Sequence, residues 1–202
     1  MHEGHACALL GQLLLSTESV TQGDLERALA EQEHSGEPLG EILIDMRVVS
    51  QEQVERALRL QARLRGRPGP SRGFVLVVDD DPEVGAVLGE ILEGAGYRVG
   101  VAQDASEAAI AVLAPDGDHP RLVVLDMALP GTSGLEFLAI MRNSAPSQTT
   151  PVVVLTGRPD TEAEIRERGL AISEFLAKPI SARKLLESVE AALSQSRASA
   201  AR

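Results

Sequence analysis

Asp79, Asp80, Asp126, Thr156 and Lys178 combine carboxylates, a hydroxyl and an amine, and each follows an apolar stretch. Phe74-Val75-Leu76-Val77-Val78 ends at Asp79-Asp80-Asp81, Leu122-Val123-Val124-Leu125 at Asp126, Val152-Val153-Val154-Leu155 at Thr156, and the segment from Ala171 to Ala177 at Lys178-Pro179. Continuous Val/Leu runs are the pattern of parallel strands buried on both faces. Strands of that kind in one sheet bring the residues just beyond them to its carboxyl edge, where open α/β sheets form their sites. The set suits a divalent cation and a phosphoryl group, because hard cations take oxygen ligands and a carboxylate oxygen can attack phosphorus. Singly, an acid after a strand is a helix cap and Lys178-Pro179 an ordinary turn; only together do these residues specify that chemistry. Asp81, directly before Pro82, is read as a cap and kept out of it.

The elements that must hold these residues alternate. The pattern predicts strands at 74–79, 97–101, 121–126, 151–156 and 172–177, and helices at 82–94, 104–114, 133–143, 160–168 and 181–194. Pro82 suits a first helical position, Gly94-Ala95-Gly96 closes that helix, and Asp104 and Ser181 are suitable N-caps. Five successive strand–helix units imply a doubly wound α/β sheet.

Composition narrows the class. The 202 residues are 44% hydrophobic, enough to bury the cores of one or two domains, and with only 2% aromatics those cores must be Leu, Val and Ala. A net charge of -11 opposes general binding to DNA or other nucleic-acid phosphates. The apolar runs are far shorter than a membrane span, and Met1-His2-Glu3-Gly4 lacks the basic start and apolar core of a signal peptide. No membrane insertion and a cytoplasmic location are expected, which the single Cys7 also fits. His2, His5 and Cys7 lack a fourth ligand and are not read as a metal site.

Residues 65–73, Arg-Gly-Arg-Pro-Gly-Pro-Ser-Arg-Gly, read as a linker, because Pro and Gly stop a helix and nothing apolar is there to pack. Net charge is -6 over 1–64, +3 over the linker and -8 beyond it. A Ser/Ala/Arg tail at 196–202 is expected to be disordered. Residues 1–64 contain an internal repeat. Leu10-Gly11-Gln12-Leu13-Leu14-Leu15, followed by Leu25, Ala28, Leu29 and Gln32, recurs 29 residues later as Leu39-Gly40-Glu41-Ile42-Leu43-Ile44, followed by Val54, Ala57, Leu58 and Gln61. Each copy reads as a short helix, a turn and a longer helix. Thr21 and Ser50 are N-caps with Asp24 and Gln53 three residues on.

From residue 74 to 195 the chain resembles the receiver domain of two-component response regulators, the CheY-like proteins. The resemblance implies a flavodoxin-like five-stranded parallel sheet, (βα)5; the repeat that precedes it is read as a smaller all-α N-terminal domain of two helical repeats. The resemblance also implies that Asp126 is the phosphoacceptor, and that Asp79 and Asp80 hold Mg2+ together with Asp126 and the Met127 backbone carbonyl. Thr156 would be the switch hydroxyl, Phe175 the switch aromatic and Lys178 the phosphate-binding amine; Pro130 and Gly134 sit where the family has its post-acceptor loop. The partner implied is a sensor histidine kinase or phosphotransfer protein. No enzymatic activity is expected beyond Mg-dependent self-phosphorylation from a phosphodonor and slow autodephosphorylation. A haloacid-dehalogenase-type phosphatase also uses a nucleophilic Asp but needs a second acid two positions later, and Ala128 stands there. Ala128 and Arg158 offer neither carboxamide nor carboxylate to orient attacking water, so a long-lived phosphoryl group is expected.

The repeat resembles the N-terminal domain of type II secretion and type IV pilus assembly ATPases, in which two such motifs can form a cyclic di-GMP site. Residues 9–32 and 38–61 match the motif and 33–37 the spacer. Where ligand-binding members often carry Arg before Leu-Gly, this chain has Leu9 and Pro38, and a dianionic dinucleotide loses its cationic contacts. The expectation is a response regulator that switches a protein-docking N-terminal domain, with a secretion or pilus motor protein as the partner by analogy. A cyclic di-GMP receptor modulated by the receiver, and a phosphate sink or shuttle in a phosphorelay, are the alternatives.

Overall fold

The computed structural model describes residues 10–15, 17, 19–65, 72–113, 119–131, 133–145, 147–158 and 160–200. His2, His5, Cys7 and Leu9, the stretch 66–71 of the linker and residues 201–202 lie outside them. The chain divides into two compact units between Ala62 and Arg63.

The first unit holds helices α1 (10–15), α2 (Gln22–Ser35), α3 (Leu39–Asp45) and all but the last three residues of α4 (Gln51–Arg65). Thr21 and Asp24 form a reciprocal capping box, with the Asp24 amide donating to Thr21 Oγ1 at 3.2 Å and the Thr21 amide to Asp24 Oδ2 at 3.1 Å. Ser50 and Gln53 repeat it at 3.3 and 2.8 Å, so duplication extends to the caps. The two Leu-Gly steps have a packing cause. A Cβ at position 11 would lie 3.1 Å from the Leu25 side chain, and one at position 40 would lie 2.7 Å from Val54 Cγ1. Glycine lets each short helix approach its longer partner closely. Leu13, Leu14, Ala28, Leu39, Ile42 and Leu43 fill the core.

The second unit alternates strand and helix: β1 (Phe74–Val78), α5 (Pro82–Gly94), β2 (Arg98–Ala102), α6 (Ala105–Leu113), β3 (Leu122–Asp126), α7 (Gly134–Asn143), β4 (Val152–Thr156), α8 (Thr161–Glu167), β5 (Glu174–Ala177) and α9 (Ala182–Ala200). The strands form one parallel sheet in the order β2-β1-β3-β4-β5. This is the flavodoxin-like arrangement. Every residue of β1, β3 and β4 is buried, which is why these strands read as unbroken Val/Leu. Right-handed crossovers place α5 on one face of the sheet and α6, α7 and α8 on the other. Leu88 and Leu92 of α5 and Leu185 and Val189 of α9 pack with Val75, Val77, Val124 and Val153.

Asp104 and Ser181 cap α6 and α9 through the amides of Glu107 and Lys184, at 2.8 and 3.2 Å. The element bounds differ from the sequence reading by at most two residues, as at β5, whose first residue is Glu174 rather than 172, except for α9. That helix continues to Ala200, beyond the predicted end at 194 and into the tail expected to be disordered. Ala and Arg are strong helix formers, and no Gly or Pro interrupts the segment.

Candidate functional site

The site lies where the strand order turns back. The chain leaves β1 for β2 on one side and later enters β3 on the other, so the carboxyl ends of β1 and β3 flank a crevice. Val78 pairs with Leu125, which sets Asp79 beside Asp126. Thr156 pairs with Ala177 in the β4–β5 ladder, and the Lys178 amide donates to the Thr156 carbonyl at 2.8 Å, so the four strand ends are locked in register.

Lys178 joins the two buried acids. Its Nζ donates to Asp126 Oδ2 at 2.7 Å and to Asp79 Oδ2 at 3.0 Å. The other oxygen of each acid is held by backbone: Ala128 N–H donates to Asp126 Oδ1 at 3.2 Å and Asp81 N–H to Asp79 Oδ1 at 3.1 Å. Asp79 is 1% and Asp126 4% exposed, whereas Asp80 faces solvent. Carboxylate oxygens of all three lie within 4.8 Å of one another. Three carboxylates against one ammonium leave the crevice electronegative. Burial raises the Asp79 pKa, with the nearby Asp126 charge adding to it, and the contacts from Lys178 and the Asp81 amide only partly offset this. Burial alone would lower the Lys178 pKa, but its hydrogen bonds to Asp126 and Asp79 outweigh it and the net shift is upward. Lys178 stays an ammonium.

The donor set fits a hard divalent cation. It offers oxygens only, from two buried carboxylates and one exposed one that leaves room for water, as Mg2+ requires. Asp79, Asp80 and Asp126 are the side chains that would hold it. Met127 is firmly placed: its amide donates to the Leu155 carbonyl at 3.1 Å, and Gly134 backs it so closely that a Cβ there would lie 2.8 Å from Met127 Cα and 2.7 Å from the Asp126 carbonyl oxygen. Gly134 opens α7 behind the Ser133–Glu136 capping box. Pro130 is exposed in the loop between β3 and α7.

Thr156, 3% exposed, is brought to the edge but bonded away from the acids. Its Oγ1 accepts from the Arg158 amide at 3.0 Å and shares a hydrogen bond with Thr161 Oγ1, also at 3.0 Å. Phe175, opposite Val154 in the adjacent strand, is half-buried. The Arg158 guanidinium is turned to Glu164, 3.1 Å away. Asp81 caps α5 through the amides of Glu83 and Val84, and its own amide supports Asp79. The sequence reading missed Thr161, which is 2% exposed at the start of α8. A hydroxyl at the first turn of the helix following Thr156 was the available signal.

Residues 75–190 match the family described as the response regulator receiver domain. The chain belongs to that family. Relatives of the receiver include the uncharacterized transcriptional regulatory protein YkoG of Bacillus subtilis, 34% identical over 124 residues that make up 61% of this chain and 52% of that protein. The DNA-binding response regulator MtrA of Mycolicibacterium smegmatis is likewise 34% identical over 124 residues, 60% of this chain and 51% of MtrA. The chain thus spans about half the length of these curated relatives. Among solved structures, a CheY-like receiver domain protein from Methanospirillum hungatei superposes with a TM-score of 0.57 at 26% identity, over 64% of this chain and 99% of that one. CheY4 of Vibrio cholerae gives a TM-score of 0.53 at 25% identity, over 58% and 96%. The receiver is therefore of the two-component signalling kind, and the residues before 75 lie outside the family match. Among the described residues no helix is long and apolar enough to cross a membrane.

Proposed function

We propose that this protein is a cytoplasmic response regulator that accepts a phosphoryl group on Asp126 from a sensor histidine kinase or phosphotransfer protein. The observation that carries the proposal is the Lys178 bridge, which ties the Asp126 carboxylate to Asp79 at the edge of an electronegative crevice. An Asp126 oxygen attacks phosphorus of the phosphohistidine, the P–N bond breaks, and its electron pair returns to the imidazole, which regains a proton from solvent. A bound Mg2+ would supply charge neutralisation between the carboxylates and the incoming phosphoryl group. Lys178 then exchanges a carboxylate contact for a phosphoryl oxygen. Thr156 gives up its loop partners to donate to the same group, and half-buried Phe175 moves into the space it leaves. The added charge biases the face formed by α8, β5 and α9. The protein acts as a switch rather than an enzyme, with self-phosphorylation and slow autodephosphorylation as its only chemistry.

The N-terminal repeat is then the output, a protein-docking domain. A secretion or pilus motor component is the partner that the repeat's resemblance suggests, an argument from fold analogy. Glu41, Asp45 and Glu55 line the groove of the second repeat and oppose the alternative of a cyclic di-GMP receptor, since acids repel a dianionic ligand. Incubation with acetyl phosphate and Mg2+ followed by intact mass tests the central claim: one phosphoryl group is expected on the wild type and none on Asp126→Ala. Equal addition to both, or none to either, refutes it.

A further inference from the structure

The second repeat carries an open groove of about 510 Å3 between α3 and α4. Leu39 and Val54 form its buried floor, Ile44 lies half-buried in its wall, and Leu58 is 45% exposed at its edge. Glu41 and Asp45 stand one turn apart on the α3 wall and Glu55 on the α4 wall. Like charges at i, i+4 destabilise a helix. Among the described residues, no cation or hydrogen-bond donor reaches the carboxylate of Glu41 or Asp45. Glu55 is partly engaged by Arg59 at 3.6 Å and by the Gln51 amide at 3.2 Å.

The duplication provides an internal comparison. Residues that build the helix pair agree between copies: Leu10 with Leu39, Gly11 with Gly40, Leu29 with Leu58. The α3 wall does not agree, because Gln12 and Ser16 stand in the first copy where Glu41 and Asp45 stand in the second. Both copies fold to the same helix pair, so the fold does not require these acids. Among the described residues of the unit, no cation offsets their mutual repulsion.

We propose that the groove of the second repeat docks an amphipathic helix of a partner protein, with Lys or Arg flanking its apolar stripe. The proposal deepens the docking reading of the N-terminal domain and rests on it. An apolar stripe at i, i+3 or i+4, and i+7 meets Leu39, Ile44 and Leu58 in the helix-in-groove mode. Cations on either side of the stripe neutralise Glu41 and Asp45 and set the helix's direction, while an acidic or anionic occupant is repelled. The net charge of -6 over residues 1–64 favours encounter with such a segment.

The test is a selection of displayed helical peptides with randomised faces on the full-length chain. Enriched peptides are expected to combine an apolar stripe with flanking Lys or Arg, and to bind more weakly as salt is raised. The double substitution Glu41→Gln and Asp45→Ser, which installs the residues of the first copy, should weaken binding about tenfold, equivalent to about 1.4 kcal/mol. Leu58→Ser, at an exposed position, should weaken it separately and guards against a folding artefact in the double variant. No enrichment, enrichment without basic residues, or equal binding by the double variant overturns the proposal. A concentration-dependent dimer abolished by the same substitutions would make a second copy the occupant and overturn it as well. Phosphorylation of Asp126 is scored independently by mass, so failure of the groove and failure of the receiver reading are distinguishable.

Discussion

The hydroxyls of Thr156 and Thr161 stand 3.0 Å apart, both buried, so the side chain at the end of β4 is bonded to the helix that follows it and not to the acids beside it. Any phosphoryl group on Asp126 must compete with that bond for Thr156. Thr161→Val keeps the shape and removes the competitor. A neutral hydrogen bond contributes about 1 kcal/mol, so the switch equilibrium should shift about fivefold toward the phosphorylated form. The phosphorylated fraction at limiting acetyl phosphate measures it, and an unchanged or lower fraction contradicts the assignment.

Buried Asp79 should make stability depend on pH in a definite sense. Its pKa is raised on folding, mainly by burial, so the folded chain holds that proton more tightly than the unfolded one. Stability therefore falls as pH rises from the unfolded value, about 3.9, through the folded one. Asp79→Asn lacks this loss. Without Mg2+ its Tm should exceed that of the wild type at neutral pH, with the gap closing in acid. Saturating Mg2+ should raise the wild-type Tm and leave the variant nearly unmoved. Scanning calorimetry across pH decides the matter; a variant less stable than wild type at neutral pH would contradict it.

Gly134→Ala should damage the acceptor more than the fold. The added carbon would sit 2.7 Å from the Asp126 carbonyl oxygen and 2.8 Å from Met127 Cα, both backbone atoms of the β3 end. Relieving the clash costs about 1–3 kcal/mol and displaces Asp126 from Lys178. The phosphorylation rate should fall at least tenfold, or about 1.4 kcal/mol of barrier, while circular dichroism still reports a folded chain.

The phosphoryl group should outlast those of rapidly cycling receivers. Ala128 carries no polar side-chain atom, and the Arg158 guanidinium is occupied by Glu164. Ala128→Asn introduces a carboxamide that can orient water, and should shorten the lifetime measured by loss of phosphoryl mass. A lifetime of seconds for the wild type, or no shortening in the variant, would contradict this.

Much of the molecule was legible locally. Continuous Val/Leu runs with acids at their ends specified buried parallel strands and the chemistry of one sheet edge. Pro82, Asp104, Ser181 and the paired caps Thr21 and Ser50 marked helix starts, because capping acts over three residues and is written in adjacent positions. Two features were not legible in that way. The length of α9 depends on helix propensity in a stretch whose Ser/Ala/Arg composition also suits a tail, and the role of Thr161 depends on how the loop after β4 folds back.

The sequence by itself determined which residue types stand at the strand ends and that residues 1–64 are duplicated, since both are patterns of order along the chain. Tertiary structure decided what those residues touch. Lys178 reaches Asp126 and Asp79 from 52 and 99 residues away, an outcome of strand order and register. Thr156 bonds to Thr161 rather than to the acids, and Glu41 and Asp45 of the second Leu-Gly copy line an open groove with no cation or donor on their carboxylates among the described residues. Pairing across such separations depends on the three-dimensional arrangement of the strands, which no local pattern encodes.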